Sequence, residues 1–244
     1  MPCYSGSMDS SRAGGLVTLY PRGILFDMDG ILVSSIGSVE RTWERWASAR
    51  GLDPERTIRM AHGRRAIETV RELRPDLDDM KELEWLEEVE IADKVGLEML
   101  PGVKSILESL PEKYWTVVTS ATDKLARSRM QHGGIPVPTH IIAAETVANG
   151  KPHPEPYRKG AELLGLAPED CLVIEDSASG ASAGHAAGCK VLATLFSHSI
   201  EALADADWVV RSLEDVQVRL AGDHLEILFT PVSAVGPREP VATR

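Results

Sequence analysis

Ten residues restrict what this chain can fold into more than any others: Gly23-Ile24-Leu25-Phe26-Asp27-Met28-Asp29-Gly30-Ile31-Leu32. The run Ile24-Leu25-Phe26 is of strand type and stops abruptly at two carboxylates, two residues apart. Apolar residues lead in and out, so the acids do not belong to a solvated charge run. Side chains alternate along a strand, so Asp27 and Asp29 share one side while the backbone stays extended. Gly30 then permits a tight turn and a close backbone approach to a ligand. Acids at the carboxyl end of a buried strand are costly unless they bind a cation or do chemistry. Asp-Gly is equally an ordinary turn signal, so the motif by itself fits both readings.

The chain after this strand divides in two. Ile36, Val39, Trp43 and Trp46 recur at helical spacing up to Gly51, with Glu40, Arg41, Glu44 and Arg45 between them. A turn at His62-Gly63-Arg64-Arg65 precedes a helical face of Ile67, Val70 and Leu73, which Pro75 ends. Met80, Leu83, Leu86 and Val89 predict a third helical stretch over residues 79–97. Residues 35–97 are therefore expected to be all helical, with the tryptophans packing between helices.

Beyond Pro101-Gly102 the pattern alternates. Strand-like segments are expected at residues 114–120, 140–144, 171–176, 190–195 and 208–210, and helices at 103–110, 122–131, 156–164, 180–187 and 199–204. Residues 224–229 add an edge strand or hairpin. Such alternation implies an α/β fold: a Rossmann-like parallel sheet with helices on both faces. The first strand must join that sheet to be buried, which makes the helical block an insertion. The expected organisation is a disordered leader over 1–18, a core of 19–34 and 98–230, a helical cap over 35–97 and a flexible tail over 231–244.

In a sheet of this kind, ligands bind at the carboxyl ends of the strands. Three of those ends carry reactive groups: Asp27 with Asp29, Thr119 with Ser120, and Glu175 with Asp176. Lys151, in the loop Asn149-Gly150-Lys151-Pro152-His153-Pro154, is a fourth candidate. Facing acidic clusters suit a hard, oxygen-coordinated cation, most simply Mg²⁺. Asp27 and Asp176 are the direct ligands expected, with the main-chain carbonyl of Asp29 in reach and Glu175 binding directly or through water. Separately, Glu175-Asp176 also reads as an acidic patch before a helix, Thr119-Ser120 as a helix cap, and Lys151 as a solvated loop residue. Together they suit phosphoryl transfer. A carboxylate can attack, Lys151 and Thr119 can hold phosphate oxygens, and Asp29 can move the proton.

The segments Asp27-Met28-Asp29-Gly30, Val118-Thr119-Ser120, Lys151-Pro152 and Glu175-Asp176-Ser177 together resemble the haloacid dehalogenase-like hydrolase superfamily, from about Tyr20 to Val210. The insert resembles the helical cap of the subgroup holding the beta-phosphoglucomutase-like enzymes and the 2-deoxyglucose-6-phosphate and glycerol-phosphate phosphatases. The resemblance implies that Asp27 is the nucleophile forming an aspartyl-phosphate and that Asp29 is the general acid/base. Thr119 and Lys151 would bind phosphate, and Asp27 and Asp176 would hold Mg²⁺. Family dehalogenases and phosphonatases lack an acid at the Asp29 position, so phosphate esters are implied. Mutases of the subgroup carry a histidine twelve residues after the nucleophile, where this chain has Val39. That departure favours a phosphatase acting on a small phosphorylated sugar or polyol. Ser34-Ser35 also departs from the Asp-Ser of many relatives. His62-Gly63-Arg64 implies a cap loop dipping into the site, with Arg64 on phosphate or sugar oxygen; the other reading is a helix start with surface basic residues. The alternatives for the whole chain are a phosphosugar mutase and a non-catalytic phospho-aspartate signalling module.

A net charge of −11 argues against nucleic-acid and anionic-membrane partners. No apolar run approaches a membrane span. Three cysteines without metal or redox spacing suggest a reducing cytoplasm, and a monomer is expected.

Overall fold

The structure is a computed structural model that describes residues 15–234. In chain order the described strands and helices begin with β1 (Val17–Leu19), β2 (Gly23–Phe26) and β3 (Val33–Ser34). Four helices follow: α1 (Ile36–Ala49), α2 (Pro54–Ala61), α3 (Ala66–Leu73) and α4 (Asp79–Ala92). The chain then alternates through β4 (Glu98–Met99), α5 (Val103–Glu108), β5 (Trp115–Val117), α6 (Asp123–His132) and α7 (Glu155–Leu163). It closes with β6 (Cys171–Glu175), α8 (Ala178–Ala187), β7 (Lys190–Thr194), β8 (Trp208–Val210), β9 (Val216–Ala221), β10 (His224–Phe229) and β11 (Ser233–Ala234).

The main sheet has the order β11-β8-β7-β6-β2-β5. Its five strands from β8 to β5 pair in parallel, and β11 closes one edge antiparallel to β8. All four β2 residues are buried, as an apolar run inside a parallel sheet must be. Ile24 and Phe26 face one hydrophobic cluster, and Leu25 faces the other. In register, Phe26 lies beside Val117 of β5 and Ile174 of β6. The residues just past these three strands are therefore neighbours, which brings Asp27, Thr119, Glu175 and Asp176 to one sheet edge.

Helices α1 to α4 form the cap, joined to the core through the short antiparallel pair β3–β4. The cap has its own small core of Trp43, Trp46, Ala61, Val70 and Leu86. Trp46 donates from Nε1 to Glu82 at 2.7 Å, and the Arg50 guanidinium covers the Trp46 and Trp85 rings. These tryptophans pack helices together, as their spacing implies.

Several segments depart from expectation. The helical stretch expected over 79–97 is α4, which stops at Ala92, because Asp93 pairs with Arg41 at 2.7 Å and accepts from the Val95 N–H, which turns the chain. Residues 140–144 form no strand; only Ile142 bridges to Val118, and a 3₁₀ turn begins at Ala144. The expected leader over 1–18 includes Val17 and Thr18, yet Val17–Leu19 form β1 because β10 offers them a partner strand. The hairpin at 224–229 is present, with β9 as its unexpected first arm. In the expected tail, Ser233–Ala234 pairs with β8; residues 1–14 and 235–244 lie outside the described residues.

Candidate active site

The floor of the site is a buried chain of three charges. The Asp27 N–H donates to the Ile174 carbonyl at 2.9 Å, which ties the carboxylate to β6. Lys151 Nζ donates to Asp27 Oδ1 at 2.8 Å and to Glu175 Oε1 at 2.7 Å, and the lysine is only 2% exposed. A lysine so deeply buried survives only when paired. Tyr157 of α7 donates its hydroxyl to Glu175 Oε1 at 2.9 Å. The other Glu175 oxygen accepts from the Asp176 N–H, the Ser177 N–H and the Ser177 hydroxyl, at 2.9 to 3.0 Å. Both Glu175 oxygens thus already accept hydrogen bonds. Gly180 makes room for this: a Cβ there would lie 1.6 Å from Glu175 Oε1.

Asp29, the second acid, is held differently. Ser35, at the neck of the cap, donates to Asp29 Oδ1 at 2.5 Å. Arg129 Nη1 lies 2.9 and 3.0 Å from the two Asp29 oxygens, while Nη2 donates to Glu90 of α4 at 2.9 Å. The sequence reading missed Arg129 and Glu90. The available signal was a charge on an apolar stripe. Arg129 shares the buried face of α6 with Leu125, Ala126 and Met130, and Glu90 follows Leu86 by one helical turn.

The hydroxyl pair divides its tasks. Thr119 is buried, and its oxygen accepts from the Ala121 N–H at 3.1 Å, so its O–H can still donate to a ligand. Ser120 Oγ donates to the Gly63 carbonyl of the cap loop at 3.1 Å, as does Ser179 Oγ. The true cap of α6 is Thr122, which accepts from the Leu125 N–H. In the cap loop, the residue that reaches the core is Arg65 rather than Arg64. Arg65 donates to the carbonyls of Ala144, Val147 and Ala148 at 2.9 to 3.3 Å and pairs with Glu68. Arg64 pairs with Glu72 at 2.9 Å. Both arginines, His62 and Val39 still line the cavity of about 120 Å³ that Asp27, Asp29, Thr119 and Lys151 line from below. His62 Nε2 is buried there without a partner, and burial lowers the His62 pKa, which favours neutral imidazole.

The electrostatics leave negative charge uncompensated. Burial pushes the Asp27 pKa up to about 7 against the pull of Lys151, with Glu175 and Asp29 adding to the rise. Burial, Glu175 and Asp27 raise Asp176 well above the carboxylate range. Burial would raise Glu175 as well, but Lys151 together with the hydrogen bonds from Ser177 and Tyr157 outweighs it and holds that carboxyl below its ordinary value. For Lys151, burial is outweighed by Asp27 and Glu175, which raise its pKa.

One oxygen each of Asp27, Glu175 and Asp176 lie within 4.8 Å of one another, an acidic cluster that could hold a metal ion. The fit to a divalent hard cation is good on chemical grounds, since the donors are all carboxylate oxygens. Gly30, at φ +79, adds a close approach: a Cβ there would sit 1.9 Å from Asp176 Oδ2.

A family model described as haloacid dehalogenase-like hydrolase matches residues 24–194. The chain is 40% identical to Hexitol phosphatase A of Escherichia coli strain K12 over 202 residues, covering 81% of this chain and 94% of that one. It is 31% identical to Glycerol-1-phosphate phosphohydrolase 2 of Saccharomyces cerevisiae, covering 87% of this chain and 92% of that one. Among solved structures, a beta-phosphoglucomutase from Clostridium difficile superposes with a TM-score of 0.70 at 20% identity, over 81% of this chain and 93% of that one, which supports the fold.

Proposed function

The chain belongs to the haloacid dehalogenase-like hydrolase family, and from that premise we propose that it is a Mg²⁺-dependent phosphatase hydrolysing a small sugar or polyol phosphate monoester through an aspartyl-phosphate. The observation that carries this reading is Asp27, buried at a strand end 2.8 Å from Lys151 on the floor of a capped cavity. The hexitol and glycerol phosphatases among its relatives support the substrate class.

The residues divide the reaction as follows. Lys151 and the Thr119 hydroxyl hold phosphate oxygens against Asp27. An Asp27 oxygen attacks phosphorus, the bond to the ester oxygen breaks, and Asp29 gives that oxygen a proton. Water then attacks the aspartyl-phosphate, Asp29 takes the water's proton, and inorganic phosphate leaves. Mg²⁺ would be held by Asp27, Asp176 and the Asp29 main-chain carbonyl, and would supply positive charge against the phosphate oxygens. Glu175, with both oxygens already accepting hydrogen bonds, positions Lys151 and the start of α8. The cap excludes bulk water over the site.

Val39 lines the cavity where the resembling mutases have a histidine, so a polar group on that wall that could guard the intermediate is missing. Hydrolysis is therefore favoured over phosphate return to a second sugar. We also propose that the reaction runs in the reducing cytoplasm, a setting that suits the buried free thiols Cys171 and Cys189.

The test is phosphate release, with and without Mg²⁺, over a panel of sugar, polyol and nucleotide monophosphates. Mg²⁺-dependent release from sugar or polyol phosphates is expected, and a hexose 1-phosphate should yield free sugar. Silence across the panel, or an isomeric sugar phosphate as product, refutes the reading.

Metal binding should also register in stability. Asp27 and Asp176 have folded-state pKa values above their ordinary ones, so they add stability below about pH 4 that is lost as pH rises, for Asp27 through about 7. A proton on Asp27 must leave before a cation binds. The rise in melting temperature on adding Mg²⁺ should therefore be larger at pH 8 than at pH 6. An equal rise at both values would contradict the assignment of these carboxylates as ligands.

A further inference from the structure

Arg129 is a buried charge at the site that the reaction described above leaves without a task. It is 2% exposed and belongs to the core helix α6, yet it joins carboxylates from two different parts of the molecule. Asp29 comes from the end of the central strand, and Glu90 from the cap helix α4. The guanidinium is not saturated, because its Nε is buried with no acceptor. An arginine kept only for stability has little reason to leave a buried N–H unmet.

The surroundings show what its position depends on. Polar contacts link this side of the cap to α6: Glu87 of α4 accepts from Thr122 and Lys124, and Lys94, just past α4, donates to Ser128 at 2.8 Å. Hydrogen bonds and ion pairs join the cap to α6 here. The second contact to Asp29, from Ser35, comes from the neck where the cap begins. Both side chains that fix the Asp29 carboxylate thus depend on where the cap sits.

We infer that Arg129 is a positioning residue that couples cap docking to the orientation of the proton-transfer acid: Glu90 of the docked cap sets the guanidinium, and the guanidinium sets Asp29. The inference rests on the phosphatase reading and adds a control that the reading does not need. Undocking the cap removes Glu90 and frees Arg129 to turn, so proton transfer fails while the site is open. Attack by Asp27 does not pass through this arm. Lysine cannot replace arginine here, because a single ammonium on a flexible stem cannot bridge two carboxylates as a planar fork does.

The experiment compares two phosphate esters in the full chain with Mg²⁺. One is the best alkyl phosphate from the panel, whose leaving oxygen needs a proton; the other is p-nitrophenyl phosphate, whose leaving group departs without one. Glu90→Gln keeps the side-chain volume, and Arg129→Met keeps much of the length. Arg129→Met should lower kcat/KM for the alkyl ester, which reports transfer to Asp27 and not the later water step that both esters share, by about 10²-fold, the low end for losing a placed acid. Glu90→Gln should lower it by about tenfold, with KM changed little, since the interaction is made for the chemical step. The aryl ester should lose several-fold less in both variants. Arg129→Lys should not rescue. In the double variant, Glu90→Gln should add almost nothing to Arg129→Met, as expected for one coupled unit. Melting curves report folding. If Arg129→Met does not fold, Glu90→Gln decides alone. Equal losses for the alkyl and aryl esters, no loss in either, or additive losses in the double variant overturn the inference and leave the phosphatase reading standing. A wild-type chain that releases phosphate from neither ester overturns both.

Discussion

Asp27→Asn is expected to lower turnover of sugar and polyol phosphates by at least ~10⁴-fold, the scale seen when a catalytic nucleophile is removed. The amide has the shape of the carboxylate but no lone pair able to attack phosphorus at a useful rate. It also withdraws one acidic oxygen from the cluster with Glu175 and Asp176. The fold should survive. Asp27 is buried, and burial already pushes its pKa up to about 7, so a neutral group of the same shape carries no penalty for desolvated charge. Lys151 keeps its second partner, Glu175, at 2.7 Å. Melting at pH 8 should therefore match or slightly exceed the parent. Parental turnover in this variant would exclude Asp27 as the nucleophile. A collapse in melting temperature would show instead that the charge is structural.

Lys151→Met is expected to remove both activity and a large part of the stability. The ammonium neutralises two buried carboxylates at once, at 2.8 and 2.7 Å. Removing one partner from a buried ion pair typically costs about 3–5 kcal/mol, because the other charge stays behind unpaired. For a chain of this size that corresponds to a fall in melting temperature of roughly 10 °C. Lys151 holds Glu175 below its ordinary pKa against burial, so its loss drives that carboxyl to protonate. The deficit should accordingly be large at pH 8 and smaller at pH 5, where protonation relieves the unpaired charge. Variant and parent melting within 2 °C of each other at pH 8 would contradict the charge arrangement described for the floor of the site.

The legible part of the site was its strand ends. An apolar run that stops at a carboxylate or hydroxyl is visible in a few consecutive letters, so the sequence places Asp27, Thr119 and Glu175-Asp176 at one sheet edge. The cap was legible for the same reason: 3.6-residue periodicity without a strand signal marks helices that need a surface to cover. Less of the periphery could be read. Val17–Leu19 and residues 216–221 carry ordinary β-branched and polar letters, and became strands only because β10 lies between them. Residues 140–144 look like a strand, yet they meet the sheet through one bridge to Val118. In the cap loop, two adjacent arginines are indistinguishable as letters; one reaches the core carbonyls and the other turns to Glu72.

The shared sheet edge of Asp27, Thr119, Glu175 and Asp176 was thus a property of the sequence alone, because each ends or closely follows the apolar run that positions it. Partnership was not. Lys151 and Asp27 are 124 positions apart and meet at 2.8 Å; Arg129 and Asp29 are 100 apart and meet at 2.9 Å. Periodicity states which face of α6 is buried, but not that a strand end and a cap helix both bring a carboxylate to it. Only the packing of α4 and β2 against α6 decides that Asp29, the acid proposed to move the proton, is held by an arginine that the cap also holds.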